Sequence, residues 1–107
     1  MRHTIRVDQT IATVVCEEGF LDVAREAVCE ARSSVERKIG SDPFFGITYD
    51  PYPEDPRDDE LVRRMCRASA LAGVGPMAGV AGAVAVHAVE RMAAAGAREA
   101  IVENGGD

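Results

Sequence analysis

The residues best suited to chemistry lie in two short stretches, GVGPMAGVAGAVA from Gly73 to Ala85 and ENGGD from Glu103 to Asp107. A glycine-rich turn that opens a helix of small residues presents main-chain N–H groups, and the helix macrodipole favours an anion there without any basic side chain. Pro76 suits a first helical position, because its missing N–H would have had no helical partner and its φ is already helical. Gly75 then sits near the cap, and the amides of Met77, Ala78 and Gly79 are expected to point out at a phosphate or carboxylate. The spacing Gly73-x-Gly75-x-x-x-Gly79 is similar to a dinucleotide fingerprint, but that motif needs a strand leading in, and here a helix does. The Rossmann reading fails on that context. In the second stretch Asn104, Gly105 and Gly106 allow close approach of a ligand to the main chain. Glu103 or Asp107, at a strand end beside a pocket, can act as a metal ligand or general base. Turn chemistry and solvated carboxylates account for the same residues equally well. Asn-Gly favours a tight hairpin turn, whose returning strand must follow it, so pairing with a further C-terminal half or another chain is expected.

Other chemistry-bearing residues have less support. His87 falls in an apolar neighbourhood with no Cys, Asp or Glu at a helical metal spacing before it, and reads as a satisfied core histidine. His3 is equally unsupported, and no Ser-His-Asp or Cys-His arrangement can be defended on spacing. Cys16, Cys29 and Cys66 are odd in number and widely spaced, which fits reduced thiols better than a disulfide framework or zinc site. Asp58, Asp59 and Glu60 are explained as a helix entry rather than a carboxylate metal site.

The elements that would position these residues can be read from periodicity. Residues 2–7 and 10–16 are rich in Thr, Ile and Val, with Asp8-Gln9 as the turn of a hairpin. From Phe20 the apolar positions Phe20, Ala24, Ala27, Val28, Ala31, Val35 and Ile39 recur at helical spacing between Gly19 and Gly40. The opposite face, which includes Asp22, Arg25, Glu26, Glu30, Arg32 and Glu36, reads as solvated. Ser41 to Arg57, with four prolines and Phe44, Phe45, Tyr49 and Tyr52, reads as an irregular connection whose aromatics anchor it; a lid is the sharper alternative. Leu61, Val62, Met65, Ala68 and Ala72 predict a second helix, with Arg63, Arg64 and Arg67 on its polar side. The third helix, from Pro76, is apolar or small on every side up to Val86 and is therefore expected to be buried. Within it Ala78, Gly82 and Ala85 form a small-residue face; Gly79 and Gly82 serve either close packing or ligand approach. Gly96 offers its C-terminal cap, and Ala100-Ile101-Val102 reads as a short buried strand running into the Glu103–Asp107 turn.

Composition sets the outer bounds. The chain has 107 residues, 47% hydrophobic and 28% charged, within the range of one globular domain. Its net charge of −6 leaves no basic surplus for releasing counterions from phosphates, which excludes a sequence-independent nucleic-acid binder. Ala68 to Ala88 lacks formal charge but is interrupted by Gly73, Gly75 and Pro76, so a membrane span is not predicted. Met1 to Asp8 is charged throughout with no apolar stretch, and a cytoplasmic location is expected.

At the two chemistry-bearing stretches the sequence resembles an uncharacterised family of the ApbE superfamily, whose founding members are FAD-dependent flavin transferases. The matching residues are Val74-Gly75-Pro76-Met77-Ala78, continuing through Val80-Ala81-Gly82-Ala83, and Val102-Glu103-Asn104-Gly105-Gly106-Asp107. The end of the first helix from Arg32 to Ile39, Pro43-Phe44 and Met65 are similar too. The resemblance implies an α+β, ApbE-like fold, with an N-terminal β-hairpin, three helices and a C-terminal strand. Residues 1–107 would form a single such domain or the N-terminal half of a larger one. It also implies a pocket bordered by the third helix and the Gly-Gly strand end, with FAD or FMN as cofactor and magnesium in the transfer of FMN to a protein threonine. The transferases carry a lysine-glycine signature where Gly75-Pro76-Met77 stands here, and their metal-binding residues belong largely to a later half. Some family members are connected, in anaerobic microbes, with sulfide-dependent homocysteine formation. The resulting expectation is a site for a phosphorylated nucleotide or flavin-like ligand at Gly75–Gly79 and Asn104–Gly106. The alternative is a non-catalytic accessory or subunit-interaction protein, in sulfur assimilation, acting as a homo-oligomer or with a C-terminal half.

Overall fold

The computed structural model describes residues 1–104; Gly105, Gly106 and Asp107, and the expectations resting on them, lie outside the described residues. The predicted hairpin is present as β1 (Arg2–Val7) and β2 (Thr10–Cys16), antiparallel with Val7 opposite Thr10. Asp8 turns the chain at φ 52°, a left-handed conformation that aspartate tolerates better than most side chains. The C-terminal strand β3 (Ala100–Asn104) pairs antiparallel with the other side of β2, giving the order β1-β2-β3. Glu103 and Asn104 were expected in a turn, yet they continue this ladder opposite Thr13 and Ala12. Strand pairing satisfies their main-chain groups, which a turn would have left to solvent.

Alternation along the strands buries Ile5, Ala12, Val14 and Cys16 on one face of the sheet. The first helix, α1 (Leu21–Ser41), and the last, α3 (Val80–Ala94), cover that face, with Ala24 and Met92 completing an apolar cluster with Ile5, Val14 and Cys16. A second cluster joins Ala27, Val28, Ala31 and Val35 of α1 to Val84 and Ala88 of α3, and to Val62 and Met65 of α2 (Glu60–Leu71). The architecture is therefore α+β, with the helices gathered on one face of a three-stranded antiparallel sheet. Among the described residues no helix is long and apolar enough to cross a membrane, and α2 meets the segment Pro76–Ala94 at 105°.

Asp59 caps α2 as the acidic run predicts, its carboxylate accepting the Val62 N–H at 3.0 Å. The connection before it is anchored by two of its four aromatics: Phe45 is fully buried and meets Tyr52 edge-on at 5.1 Å, whereas Phe44 and Tyr49 are exposed. Lys38 pairs with Asp58 at 2.9 Å and Arg63 with Glu54 at 2.9 Å, tying the same segment to α1 and α2.

The expectation that α3 is buried all round does not hold. Ala83, Val84, Ala88 and Met92 are buried, but Ala78, Gly82 and Val86 are exposed. Gly82 and Val86, four residues apart, share one outward stripe of α3, and Ala78 is exposed in the residues just before it.

Candidate functional site

The glycines of the Gly73–Gly79 stretch prove to have different physical roles. Gly73 ends α2 at φ 72°; its N–H bonds to the Ala70 carbonyl at 3.0 Å, and the Val74 N–H to that of Ser69 at 3.1 Å. Gly75 is buried beneath the preceding loop: a Cβ there would stand 2.0 Å from the Thr48 carbonyl oxygen. A Cβ on Gly79 would stand 2.9 Å from Ser69 Oγ, and that hydroxyl donates to the Pro76 carbonyl at 3.3 Å. Gly82, by contrast, has nothing within 4 Å of the place its Cβ would occupy.

The helix start is also tighter than expected. Pro76–Gly79 forms a 3-10 turn capped by Gly75, and α3 begins at Val80. The Ala78 N–H is not free for a ligand, since it donates to the Gly75 carbonyl at 3.2 Å, and the Val80 N–H donates to Met77. A 3-10 turn closes its hydrogen bonds one residue sooner than an α-helix, which draws in an amide that an α-helical start would leave exposed. Pro76 is buried and Ala78 exposed.

Met77 nevertheless borders a cavity of about 410 Å³ between α1, the start of α3 and the hairpin, and Asn104 of β3 lines the same space. Two residues singled out from separate stretches of sequence thus meet at one hollow. Ile39, Val80 and Val84 supply apolar wall, while Gln9, Thr10, Arg32 and Glu36 supply polar groups. The volume lies within the ~300–1,000 Å³ typical of small-molecule sites. Glu103 alternates with Asn104 along β3 and is exposed on the outer face of the sheet, turned away from this hollow.

Arg32 is the cavity residue whose charge assigned it to the solvated face of the first helix. Its side chain retains only 22% of its exposure; one terminal nitrogen donates to Thr10 Oγ1 at 2.5 Å, and another lies 3.6 Å from the carboxylate of Asp8, which is 76% exposed. Its Nε is buried without a hydrogen-bond partner among the described residues. A signal was available, because Val28, Arg32, Val35 and Ile39 share the four-three-four spacing of one helix face.

A second, shallower hollow on the other side of Met77, about 580 Å³, is lined by Ile47, Thr48, Tyr49, Val74, Gly75 and Ala78 and has no charged side chain on its walls. His87 belongs to neither. Its Nε2 lies 3.0 Å from Glu30 Oε1, an oxygen that also accepts from Arg91, so the pair ties α1 to α3. The Arg91 guanidinium, followed by His87, holds the Glu30 carboxyl below its ordinary pKa. His3 faces inward from β1 with Nε2 buried and unpartnered among the described residues. Burial pushes the Cys16 and Cys66 thiols up, whereas Cys29 is exposed. Among the described residues no three His, Cys, Asp or Glu side chains come together as a metal site.

The family model described as AbpE bacteria matches residues 5–107. UPF0280 proteins of Methanocella arvoryzae and Methanothrix thermoacetophila are 48% and 46% identical over the whole of this chain. One from Archaeoglobus fulgidus is 45% identical over 99% of it. The chain spans only 44–46% of the length of these relatives.

Proposed function

The chain belongs to the AbpE bacteria family, and from that premise we propose that it binds a phosphorylated nucleotide or flavin-like small molecule in the cavity bordered by Met77 and Asn104. The observation that carries this reading is the meeting of those two residues at one open hollow with an apolar wall and polar groups beside it. The ApbE-type resemblance adds that FAD or FMN is the compound class to try first, with the residues Gly75–Gly79 and Asn104–Gly106 as its borders. Gly75 and Gly79 act there by letting the Thr48 loop and α2 pack closely, which fixes Met77 at the cavity wall. A magnesium role at Glu103 gains no support from the outward position of that residue.

A ligand that binds only the folded chain raises its melting temperature by mass action, by ~2.7 kcal/mol of stability at one hundred times Kd. Titration with FAD, FMN and ADP is expected to raise Tm in a saturable way with at least one of them. No shift with any of the three at millimolar concentration refutes the reading.

The subunit-interaction reading has its own supporting observation. The outer face of the sheet carries Ile11 and Ile101 at 44% and 56% exposure, beside Val15. A second copy packed on that face would give a defined dimer by light scattering whether or not ligand is present.

A further inference from the structure

Resting on the cavity reading above, we infer that Arg32 is the anion-binding group of this site. It takes a single phosphate or carboxylate, while the uncharged part of the ligand lies against Ile39, Met77, Val80 and Val84. A guanidinium covered to this extent requires compensation for its lost hydration, and the compensation among the described residues is incomplete. Asp8, its carboxylate partner, stands 3.6 Å away in an exposed turn, where water screens the pair. Thr10 contributes one neutral acceptor, and Nε finds none among the described residues. Arginine matches phosphate and carboxylate oxygens in a planar, two-pronged geometry, so an anion entering from the cavity supplies what the chain does not.

At the alternative seat, the start of α3, the Ala78 amide is spent within its own turn, and the loop at Thr48 covers Gly75. The rim also limits how much charge the ligand carries. Glu36, one helical turn beyond Arg32, lines the same cavity and is exposed. Its carboxylate disfavours a second anionic group there. A monophosphate or monocarboxylate is thereby preferred over a diphosphate, and the remaining lining accepts a flat or apolar body.

The test compares charged and neutral members of matched pairs on the 107-residue chain at fixed ionic strength, using FMN against riboflavin and AMP against adenosine, with FAD as the diphosphate. The wild-type chain is expected to bind the monophosphate of at least one pair tenfold or more tightly than its neutral partner, and more tightly than FAD. Arg32→Gln should abolish that preference without weakening the neutral compound, and Arg32→Lys should restore part of it. Because Arg32 also holds Thr10 and its loss can loosen the hairpin, Glu36→Gln provides a second arm with the arginine intact. It should tighten FMN severalfold and narrow the gap to FAD. Equal affinity for charged and neutral partners in the wild-type chain, or a preference that survives in Arg32→Gln, overturns the assignment and leaves the cavity reading standing. Binding of none of the probes overturns both.

Discussion

At the scale of single residues, the two motif-bearing stretches show what a one-letter pattern conveys and what it omits. Gly73, Gly75, Gly79 and Gly82 look equivalent in sequence. Their roles separate only when φ and neighbours are known: Gly73 needs a left-handed backbone, Gly75 and Gly79 need an absent Cβ, and Gly82 needs neither. The distinction gives opposite signs for the same substitution. Gly82→Ala removes unfolded-chain entropy and meets no neighbour, and should raise stability by about 0.5–1 kcal/mol. Gly75→Ala drives a methyl into the Thr48 carbonyl and should lower stability by ~3 kcal/mol, or displace the loop that carries Tyr49. Urea denaturation of both variants checks this; equal effects would mean that the close approach at Thr48 is absent. Arg32 illustrates the converse, a charged residue whose type indicated solvent while its spacing relative to Val28, Val35 and Ile39 indicated the interior. Residue type and helical phase conflicted, and phase decided the position because the hairpin turn comes down over that face of α1.

At the scale of elements, the hairpin, the three helices and the last strand were all legible, since each carries a periodicity and a boundary residue with its own physical basis. Asp59 caps α2, and Gly96 ends α3 at φ 107°, its N–H bonding to Ala93 at 3.0 Å. Element faces were less legible. An Ala- and Gly-rich helix has no polar stripe to mark its solvent side, so α3 looked buried all round although Gly82 and Val86 face outward. The contacts between elements were hidden as well, because they join residues distant in sequence. His87 is not a lone core histidine but part of the Glu30–Arg91–His87 tie between α1 and α3. That tie predicts a pH dependence. The Glu30 carboxyl is held below its unfolded-state value, ~4.3, so the unfolded chain binds the extra proton more readily as acid is added. The stabilisation is therefore complete above that value and is lost as pH falls through the lower folded one. Glu30→Gln should flatten the acid side of a Tm–pH curve below about pH 5, relative to wild type. Asp55, held at about 2 by Arg57, and the lowered carboxyls of Glu17 and Glu60 leave a residual slope in the variant. Parallel acid limbs in the two proteins would show that the tie contributes nothing to folding.

At the scale of the whole molecule, a single sheet with all its helices on one side leaves the other side to be accounted for. The outer face alternates the polar Arg2, Thr4, Arg6 and Glu103 with the apolar Ile11, Val15 and Ile101. Val15 and Ile101 stand directly opposite one another across β2 and β3. Cross-strand apolar pairs of this kind stabilise a sheet, but their exposed surface also offers an association site. Sequence alternation located these residues on one face without revealing whether anything covers it, because partners leave no periodicity in the chain that meets them. The relatives are more than twice as long as this chain, so a face that is exposed here can be covered by further polypeptide in them. Ile101→Lys separates an association surface from a folding contribution. The Ile101 side chain is already 56% exposed, so replacing it should change the unfolding free energy by no more than about 0.5 kcal/mol. If the outer face joins two copies, the same substitution should shift the chain from dimer to monomer in light scattering at micromolar concentration. A dimer that survives Ile101→Lys unchanged removes this face as the contact, and a large loss of Tm in a chain that was monomeric from the outset would assign Ile101 to the fold instead.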